Sequence, residues 1–167
     1  MSKTEKHLKN AFAGESQANR KYLAFARKAE QEGYKRAARM FLAAAAAETV
    51  HAHAHLRELG GIKSTKENLM EAIGGESYEF QTMYPEMIAD AKAEGIAGAL
   101  RSFEYANAVE KIHAALYQKV LDSMEKDKGK DAEDFHVCSV CGYTVEGEAP
   151  DECPVCKSKK AAFSKVE

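Results

Sequence analysis

Hydrophobic residues recur every three or four positions along most of this chain, which is the spacing of one face of an α-helix. The first such stretch covers residues 4–32, where Thr4 can cap the start and Gly33 can end the helix. A second helix is predicted over residues 34–59. Because the link between the two is short, they are predicted to form an antiparallel pair.

Two further helices are predicted after a longer connection. Residues 60–75 contain two Gly-Gly pairs and a capping box that begins at Ser64, so a crossover with a short helical piece is expected there. A third helix follows over about residues 76–94, with a kink at Pro85, and a fourth over about residues 96–124. The pattern as a whole predicts a four-helix bundle.

The helical pattern ends at a charged segment, residues 125–134, which cannot build a hydrophobic core. The remaining stretch of about thirty residues is too short to fold on hydrophobic burial alone. It contains all 4 cysteines of the chain. We therefore predict a helical bundle over residues 1–126, a charged linker over 127–134 and a small metal-stabilised domain over 135–167.

Composition excludes several classes of protein. With 45% hydrophobic and 30% charged residues and a formal net charge of -2, the chain is typical of a globular protein and not of a basic nucleic-acid binder. The N-terminus lacks the apolar core of a signal peptide, and the most hydrophobic run, residues 41–47, is too short to span a bilayer. We expect a cytoplasmic protein with no nucleic-acid or membrane partner.

Glutamate interrupts the apolar face of every predicted helix, and histidine accompanies it on two of them. An ionised carboxylate in a core costs on the order of several kcal/mol, so a group of them requires cations. Two helices carry Glu-x-x-His, which puts both side chains on one face, and the other two carry glutamate without histidine, as in bundles that bind two iron or manganese ions. The residues concerned are Glu15, Glu48, His51, Glu76, Glu79, Glu110 and His113.

Other interpretations stay open for some of these positions. The glutamates could instead be surface groups at the edges of wide apolar faces. The segment from Glu133 to His136 also reads Glu-x-x-His, but it lies in charged sequence and is interpreted as solvated. Tyr22 and Tyr84 lie about two helical turns beyond carboxylates and are candidates either for hydrogen bonding at the site or for plain packing.

The cysteines form two Cys-x-x-Cys loops, which is typical of a tetrahedral site of four thiolates. They are Cys138, Cys141, Cys153 and Cys156. The spacing fits zinc and a single iron ion, and in a reducing compartment two disulfides are the weaker alternative. Iron is favoured over zinc, because a di-metal oxidation site upstream needs a source of electrons.

Together these motifs resemble the rubrerythrin family over essentially the whole chain. The motifs are Ala11 to Ser16, Glu48-x-x-His51, Gly75-Glu76-x-x-Glu79, Met83-Tyr84-Pro85, Glu110-x-x-His113, Cys138-x-x-Cys141-Gly142-Tyr143 and Cys153-Pro154-x-Cys156. The resemblance implies an all-α ferritin-like four-helix bundle followed by a small C-terminal rubredoxin-like metal-binding β domain. Lys157 departs from the pattern, since rubredoxins usually have glycine after the last cysteine.

The resemblance also implies an activity. Such a protein is a non-haem di-iron peroxidase that reduces hydrogen peroxide to water in oxidative-stress defence. Its electrons come from NAD(P)H through a separate reductase and the rubredoxin-like iron, and it forms a homodimer or larger homo-oligomer. The alternatives are an oxygen-reducing oxidase, an iron-storage protein and an interaction protein with zinc in both sites.

Ligand roles follow from the same resemblance. Glu48 and Glu110 would bridge the two irons, Glu15 would bind the first, and Glu76 with His113 would bind the second. A further pair would exchange with the redox state, the first iron binding Glu79 when oxidised and His51 when reduced.

Overall fold

The computed structural model describes residues 1–130 and 133–167. Its contacts divide the chain into two units, residues 1–63 and residues 64–167. Asp131 and Ala132 of the predicted linker lie outside the described residues. The predicted boundaries of the bundle, the linker and the cysteine domain stay predictions.

The first unit is a pair of long helices, α1 (Lys3–Gln31) and α2 (Lys35–Glu58). The predicted cap at Thr4 is wrong, because the Glu5 amide donates a hydrogen bond to the hydroxyl of Ser2 at 3.0 Å. Between the helices the chain reverses at Gly33, whose φ of 82° lies in the left-handed region that glycine adopts readily.

Within residues 1–63 every buried side chain is small. The buried residues are Ala26, Ala29, Ala38, Ala45 and Ala52. Alanine at a contact between helices allows their axes to approach closely, toward the short end of the usual range of about 8–10 Å. This spacing brings the side chains of α1 and α2 within reach of each other.

The second unit begins with α3 (Thr65–Tyr78), which starts at the predicted capping box. The Glu67 amide donates to the Ser64 hydroxyl, and the Ser64 amide donates to the Glu67 carboxylate at 3.2 Å. The break predicted at Gly74 and Gly75 is wrong, because the helical piece expected within residues 60–75 is longer than predicted and continues through both glycines. The cause is that α3 packs along a later helix, and this contact outweighs the low helix propensity of glycine.

A π-helical segment (Glu79–Met83) joins α3 to α4 (Tyr84–Glu94). The Tyr84 amide donates to the Glu79 carbonyl, five residues back, as in a π-helix. Pro85 has no amide hydrogen, so the regular ladder is interrupted at this point. The kink predicted at Pro85 therefore takes the form of a wide turn just before it, and segments of this kind are frequent at functional sites.

The last helix is α5 (Ala97–Asp127), and α3 and α4 both pack against it. A three-stranded antiparallel sheet follows, with strands β1 (Phe135–Cys138), β2 (Thr144–Glu146) and β3 (Phe163–Lys165) in the order β2-β1-β3. Among the described residues, no helix combines the length and the hydrophobicity needed to span a membrane.

Candidate metal centres

The first unit contains a cluster of three potential metal ligands. Glu15 comes from α1, and Glu48 and His51 come from successive turns of α2. One ligand atom from each lies within 4.8 Å of the others. The Nδ1 atom of His51 is 3.0 Å from a carboxylate oxygen of Glu48, so this ring nitrogen faces the cluster. Carboxylate and imidazole donors on adjacent helices are suited to binding iron.

The two carboxyl groups of this cluster influence each other strongly. A hydrogen bond with Glu48 raises the pKa of Glu15, and the same hydrogen bond lowers the pKa of Glu48. His51 lowers the pKa of Glu48 further. A proton between two carboxylates relieves their repulsion, and a bound cation at the same place would do so more effectively.

The second unit contains a cluster of the same composition. Glu76 lies on α3, and Glu110 and His113 lie on one face of α5. The Nδ1 atom of His113 is 2.8 Å from a Glu110 oxygen and 3.6 Å from a Glu76 oxygen. Burial raises the pKa of Glu76, and its hydrogen bond with Glu110 raises it further. Each unit therefore contains its own cluster of two glutamates and one histidine.

Glu79 and Tyr84 lie at the two ends of the π-helical segment, close to the second cluster. Burial raises the pKa of Glu79, and the charge of Glu76 adds to the effect. Burial also raises the pKa of the Tyr84 phenol, followed by the charges of Glu110 and Glu79. The phenol of Tyr84 thus stays protonated next to these carboxylates, where it is able to donate a hydrogen bond.

Tyr22 has a different environment. Its ring packs near Phe25 and Phe41, with centroid distances of 6.4 and 6.2 Å. These contacts agree with the packing interpretation. Tyr84 also has an aromatic neighbour, Phe103, at a ring-centroid distance of 6.3 Å. In addition, its pKa is raised by burial and by nearby carboxylates.

The four cysteine sulfurs form a third cluster, with all four within 4.8 Å of one another. The shortest separations, 3.6 Å for Cys138 with Cys156 and for Cys141 with Cys153, are too long for disulfide bonds. Burial acts to raise the pKa of Cys138, but hydrogen bonds from Ser158 and from backbone amides lower it to about 6. A thiolate at this position is ready to bind iron or zinc.

The two cysteine loops have the same backbone turn. The Gly142 amide donates to the Cys138 carbonyl at 2.8 Å, and the Lys157 amide donates to the Cys153 carbonyl at 3.0 Å. Gly142 has a φ of 85°, and Lys157 has a φ of 63°. Lys157 therefore adopts the left-handed conformation that glycine usually provides, so the departure from the family pattern does not change the geometry of the loop.

Two positions outside the predicted set are also informative. The Nδ1 atom of His136 lies 2.7 Å from the Gly147 carbonyl, so the histidine of the Glu133–His136 segment takes part in the fold of the small sheet. The hydroxyl of Thr144 lies 2.9 Å from Nε2 of His113. Thr144 could not be found from the sequence, because the two residues are 31 positions apart and no local pattern connects them.

Family models match both parts of the chain. The model described as "Rubrerythrin" matches residues 6–121, and the model described as "Rubrerythrin, rubredoxin-like domain" matches residues 136–164. The first of these covers all the predicted carboxylate and histidine ligands, and the second covers the four cysteines.

Curated relatives align over nearly the full length of the chain. Rubrerythrin-2 of Clostridium acetobutylicum is 34% identical, with 96% of this chain and 95% of the relative aligned. Nigerythrin of Nitratidesulfovibrio vulgaris is 37% identical, with 96% and 85% aligned.

Solved structures of nigerythrin also match this chain over nearly its full length. The mixed-valent state of nigerythrin matches with a TM-score of 0.58 and 34% identity, covering 99% of this chain and 88% of that one. The fully reduced, all-ferrous state matches with a TM-score of 0.59 and 33% identity, with the same coverage. Together with the observed helices, sheet and cysteine cluster, these matches confirm the predicted fold class.

Proposed function

Because the chain belongs to the rubrerythrin family, it is an iron-dependent oxidoreductase of the peroxidase type that acts in oxidative-stress defence, and we propose that it reduces hydrogen peroxide to water. The observation that carries this proposal is the presence of three ligand clusters on one chain. Two combine carboxylates with histidine, and one consists of four cysteines. The first two suit a di-iron site, and the third suits an iron that carries single electrons.

We propose that the predicted carboxylate and histidine ligands hold a pair of irons. The ligands would be Glu15, Glu48, His51, Glu76, Glu79, Glu110 and His113. Bound ferrous ions would supply the two electrons that reduce a peroxide bond. The chain itself places the donors, balances the charge and controls protons near the peroxide.

Individual side chains have distinct proposed roles. Glu79 and His51 would exchange as ligands, since an anionic carboxylate offsets the higher charge of ferric iron and a neutral imidazole suits ferrous iron. The Tyr84 phenol would donate a hydrogen bond to a peroxide oxygen, which is supported by its raised pKa beside Glu110 and Glu79. The corresponding role of Tyr22 is supported by its sequence position alone, since its described contacts are aromatic.

The electron source and the assembly belong to the same proposal. Electrons would come from NAD(P)H through a separate reductase or a similar donor, enter at the four-cysteine iron and pass on to the di-iron site. The chain would act as a homodimer or larger homo-oligomer. A cytoplasmic location is part of the same proposal, since a reducing compartment keeps four clustered cysteines available to a metal.

Rapid mixing tests the proposed function. The iron-loaded protein is fully reduced without oxygen and mixed in parallel with peroxide and with dissolved oxygen, while the visible absorption of ferric thiolate is followed. Rapid return of the colour with peroxide and slow return with oxygen would support the peroxidase. Faster return with oxygen would instead show an oxidase, and no colour in any state would show that the cysteines do not hold iron.

A matched control variant shows whether the visible absorption comes from iron at the four cysteines. The double variant Cys141→Ser and Cys156→Ser removes two thiolates while leaving the carboxylate clusters intact. The visible band should disappear in this variant, and peroxide should still oxidise the remaining ferrous iron once. Light scattering on the same samples distinguishes a small oligomer from the large cage that an iron-storage protein would form.

A further inference from the structure

The two ring nitrogens of His113 face two different parts of the second unit. Nδ1 is directed toward the carboxylates, 2.8 Å from Glu110. Nε2 is directed the other way, 2.9 Å from the hydroxyl oxygen of Thr144, the first residue of β2. His113 thus connects the candidate iron ligands to the small cysteine-bearing sheet.

The direction of these hydrogen bonds is fixed by the single hydrogen of the Thr144 hydroxyl. That hydroxyl donates to the carbonyl oxygen of Gly142 at 3.0 Å. Its oxygen must therefore accept from His113, so Nε2 carries a proton. An imidazole with its proton held on Nε2 is free to present Nδ1 to a metal ion.

The other end of this chain of hydrogen bonds reaches the cysteine cluster. Gly142 follows Cys141 directly, and its amide donates to the Cys138 carbonyl at 2.8 Å. A side chain built at Gly142 would lie 3.8 Å from Val109, a buried residue adjacent to Glu110 on α5. The first cysteine loop therefore packs against the same helix that carries the second cluster.

We propose that Thr144 is a positioning residue that joins the cysteine centre of a chain to the His113 cluster of the same chain. Its hydroxyl holds the proton of His113 on Nε2 and completes an electron path from Cys141 through the Gly142 carbonyl to the imidazole. With iron bound at both places, one ferrous ion at the four cysteines would become ferric as one ferric ion at the His113 cluster became ferrous. No covalent bond or proton changes place at Thr144. This inference rests on the proposed function.

Three variants isolate the hydroxyl group. Thr144→Val has nearly the same shape but neither donates nor accepts, whereas Thr144→Ser keeps the hydroxyl. Ser164→Ala removes an exposed hydroxyl from β3 of the same sheet and serves as the control. The visible band of the ferric thiolate shows in every variant whether the cysteine loops have folded, and Thr144→Ala replaces the valine variant if that band is lost.

The first readout does not depend on turnover. In protein loaded with Zn²⁺, which is diamagnetic, nitrogen–proton NMR should show a slowly exchanging Nε2 proton on His113. This signal should persist in Thr144→Ser and Ser164→Ala. In Thr144→Val the Nε2 proton should exchange with water too fast for its signal to be observed. An unchanged signal in Thr144→Val would overturn the proposal.

The second readout is the rate at which the ferric thiolate colour returns after peroxide has oxidised the reduced protein. We expect a loss of roughly tenfold or more in Thr144→Val, the range typical for partners of metal-bound histidines, and little change in the other two variants. A wild-type rate in Thr144→Val would overturn the electron path while leaving the proposed function intact. A wild-type protein whose colour does not return with peroxide would instead contradict the proposed function, and the NMR result would still decide the role of Thr144.

Discussion

Glu15 of α1 and Glu48 of α2 form a carboxyl–carboxylate pair across the first unit, with the pKa of Glu15 raised and the pKa of Glu48 lowered by their mutual hydrogen bond. Such a pair holds a proton where a metal-loaded protein would hold a cation. The stability of the iron-free protein and its affinity for iron are therefore linked to the same two side chains.

This pair gives the iron-free protein a characteristic pH dependence. Since the folded protein raises the pKa of Glu15 above its ordinary 4.5, it binds more protons than the unfolded chain just above that pH. The contribution of Glu15 to the free energy of unfolding is thus present at low pH and is lost as the pH rises from 4.5 through the raised pKa. Glu48 has the opposite sign, and its contribution is lost as the pH falls below 4.5.

We therefore expect Glu15→Gln, which keeps a neutral hydrogen-bonding group, to flatten the decline in stability above pH 4.5. The same variant should bind ferrous iron more weakly by at least roughly tenfold, since even the partners of metal ligands have effects of that size. Urea unfolding of the iron-free protein over a series of pH values measures the first effect, and anaerobic iron titration measures the second. Glu30→Gln, on an exposed position of the same helix, should match the wild type in both. A decline as steep in Glu15→Gln as in the wild type would contradict the paired-carboxyl interpretation.

Glu79 is expected to matter more for turnover than for iron retention. The variant Glu79→Ala removes the ligand proposed for the oxidised state, while six carboxylate and histidine ligands in the two clusters remain. Peroxide turnover should fall roughly 10- to 100-fold, with at least part of the iron still bound. Steady-state peroxide reduction and metal analysis on the same preparation test this expectation. The control is Glu86→Ala, an exposed glutamate on α4, and equal kinetics in the two variants would rule out the role proposed for Glu79.

Lys157 offers a test of backbone strain in the second cysteine loop. Its φ of 63° costs a residue with a side chain about 1 kcal/mol relative to glycine. Lys157→Gly should therefore keep the ferric thiolate band and slow the loss of iron to a chelator, whereas Lys157→Ala, which keeps the Cβ atom, should lose iron at a rate close to that of the wild type. If glycine and alanine gave the same rate, strain at this position would not limit the stability of the loop.

The path through Thr144 predicts the outcome of mixing two defective chains. One chain carries Cys141→Ser and Cys156→Ser, and the other carries Glu110→Ala and His113→Ala. Electron transfer within a chain requires both centres on the same polypeptide, so co-expressed and co-purified hybrids should regain no peroxide turnover. Recovery of roughly a quarter or more of the wild-type rate would show transfer between chains. Mass spectrometry of the purified hybrids verifies that both chains are present.

The regular parts of the fold were predictable because their hydrophobic spacing is strong. The helices over residues 4–32 and 34–59 differ by only one residue at each end from Lys3–Gln31 and Lys35–Glu58. The ligand clusters were predictable for a related reason, since Glu-x-x-His places both side chains on one helix face whatever surrounds it.

What could not be predicted depends on contacts between distant parts of the chain. Gly74 and Gly75 indicated a break by their local propensity, but α3 continues through them because it packs along α5. The contact of Thr144 with His113 on α5 has no local pattern, since it is a hydrogen bond between residues 31 positions apart. The conformation of Lys157 was likewise hidden, because lysine gives no sequence signal for a left-handed turn.

The buried alanines of the first unit set the distance between α1 and α2, and with it the distance between the proposed iron ligands on the two helices. Ala45 and Ala52 lie on either side of Glu48 along α2, with Ala45 only 2% exposed. A larger side chain at either position would push the two helices apart and move Glu15 away from Glu48. Natural or designed variation should therefore be least tolerated at the smallest residues of this helix pair. Their volume would change the affinity for iron even though an alanine side chain has no atom that binds a metal.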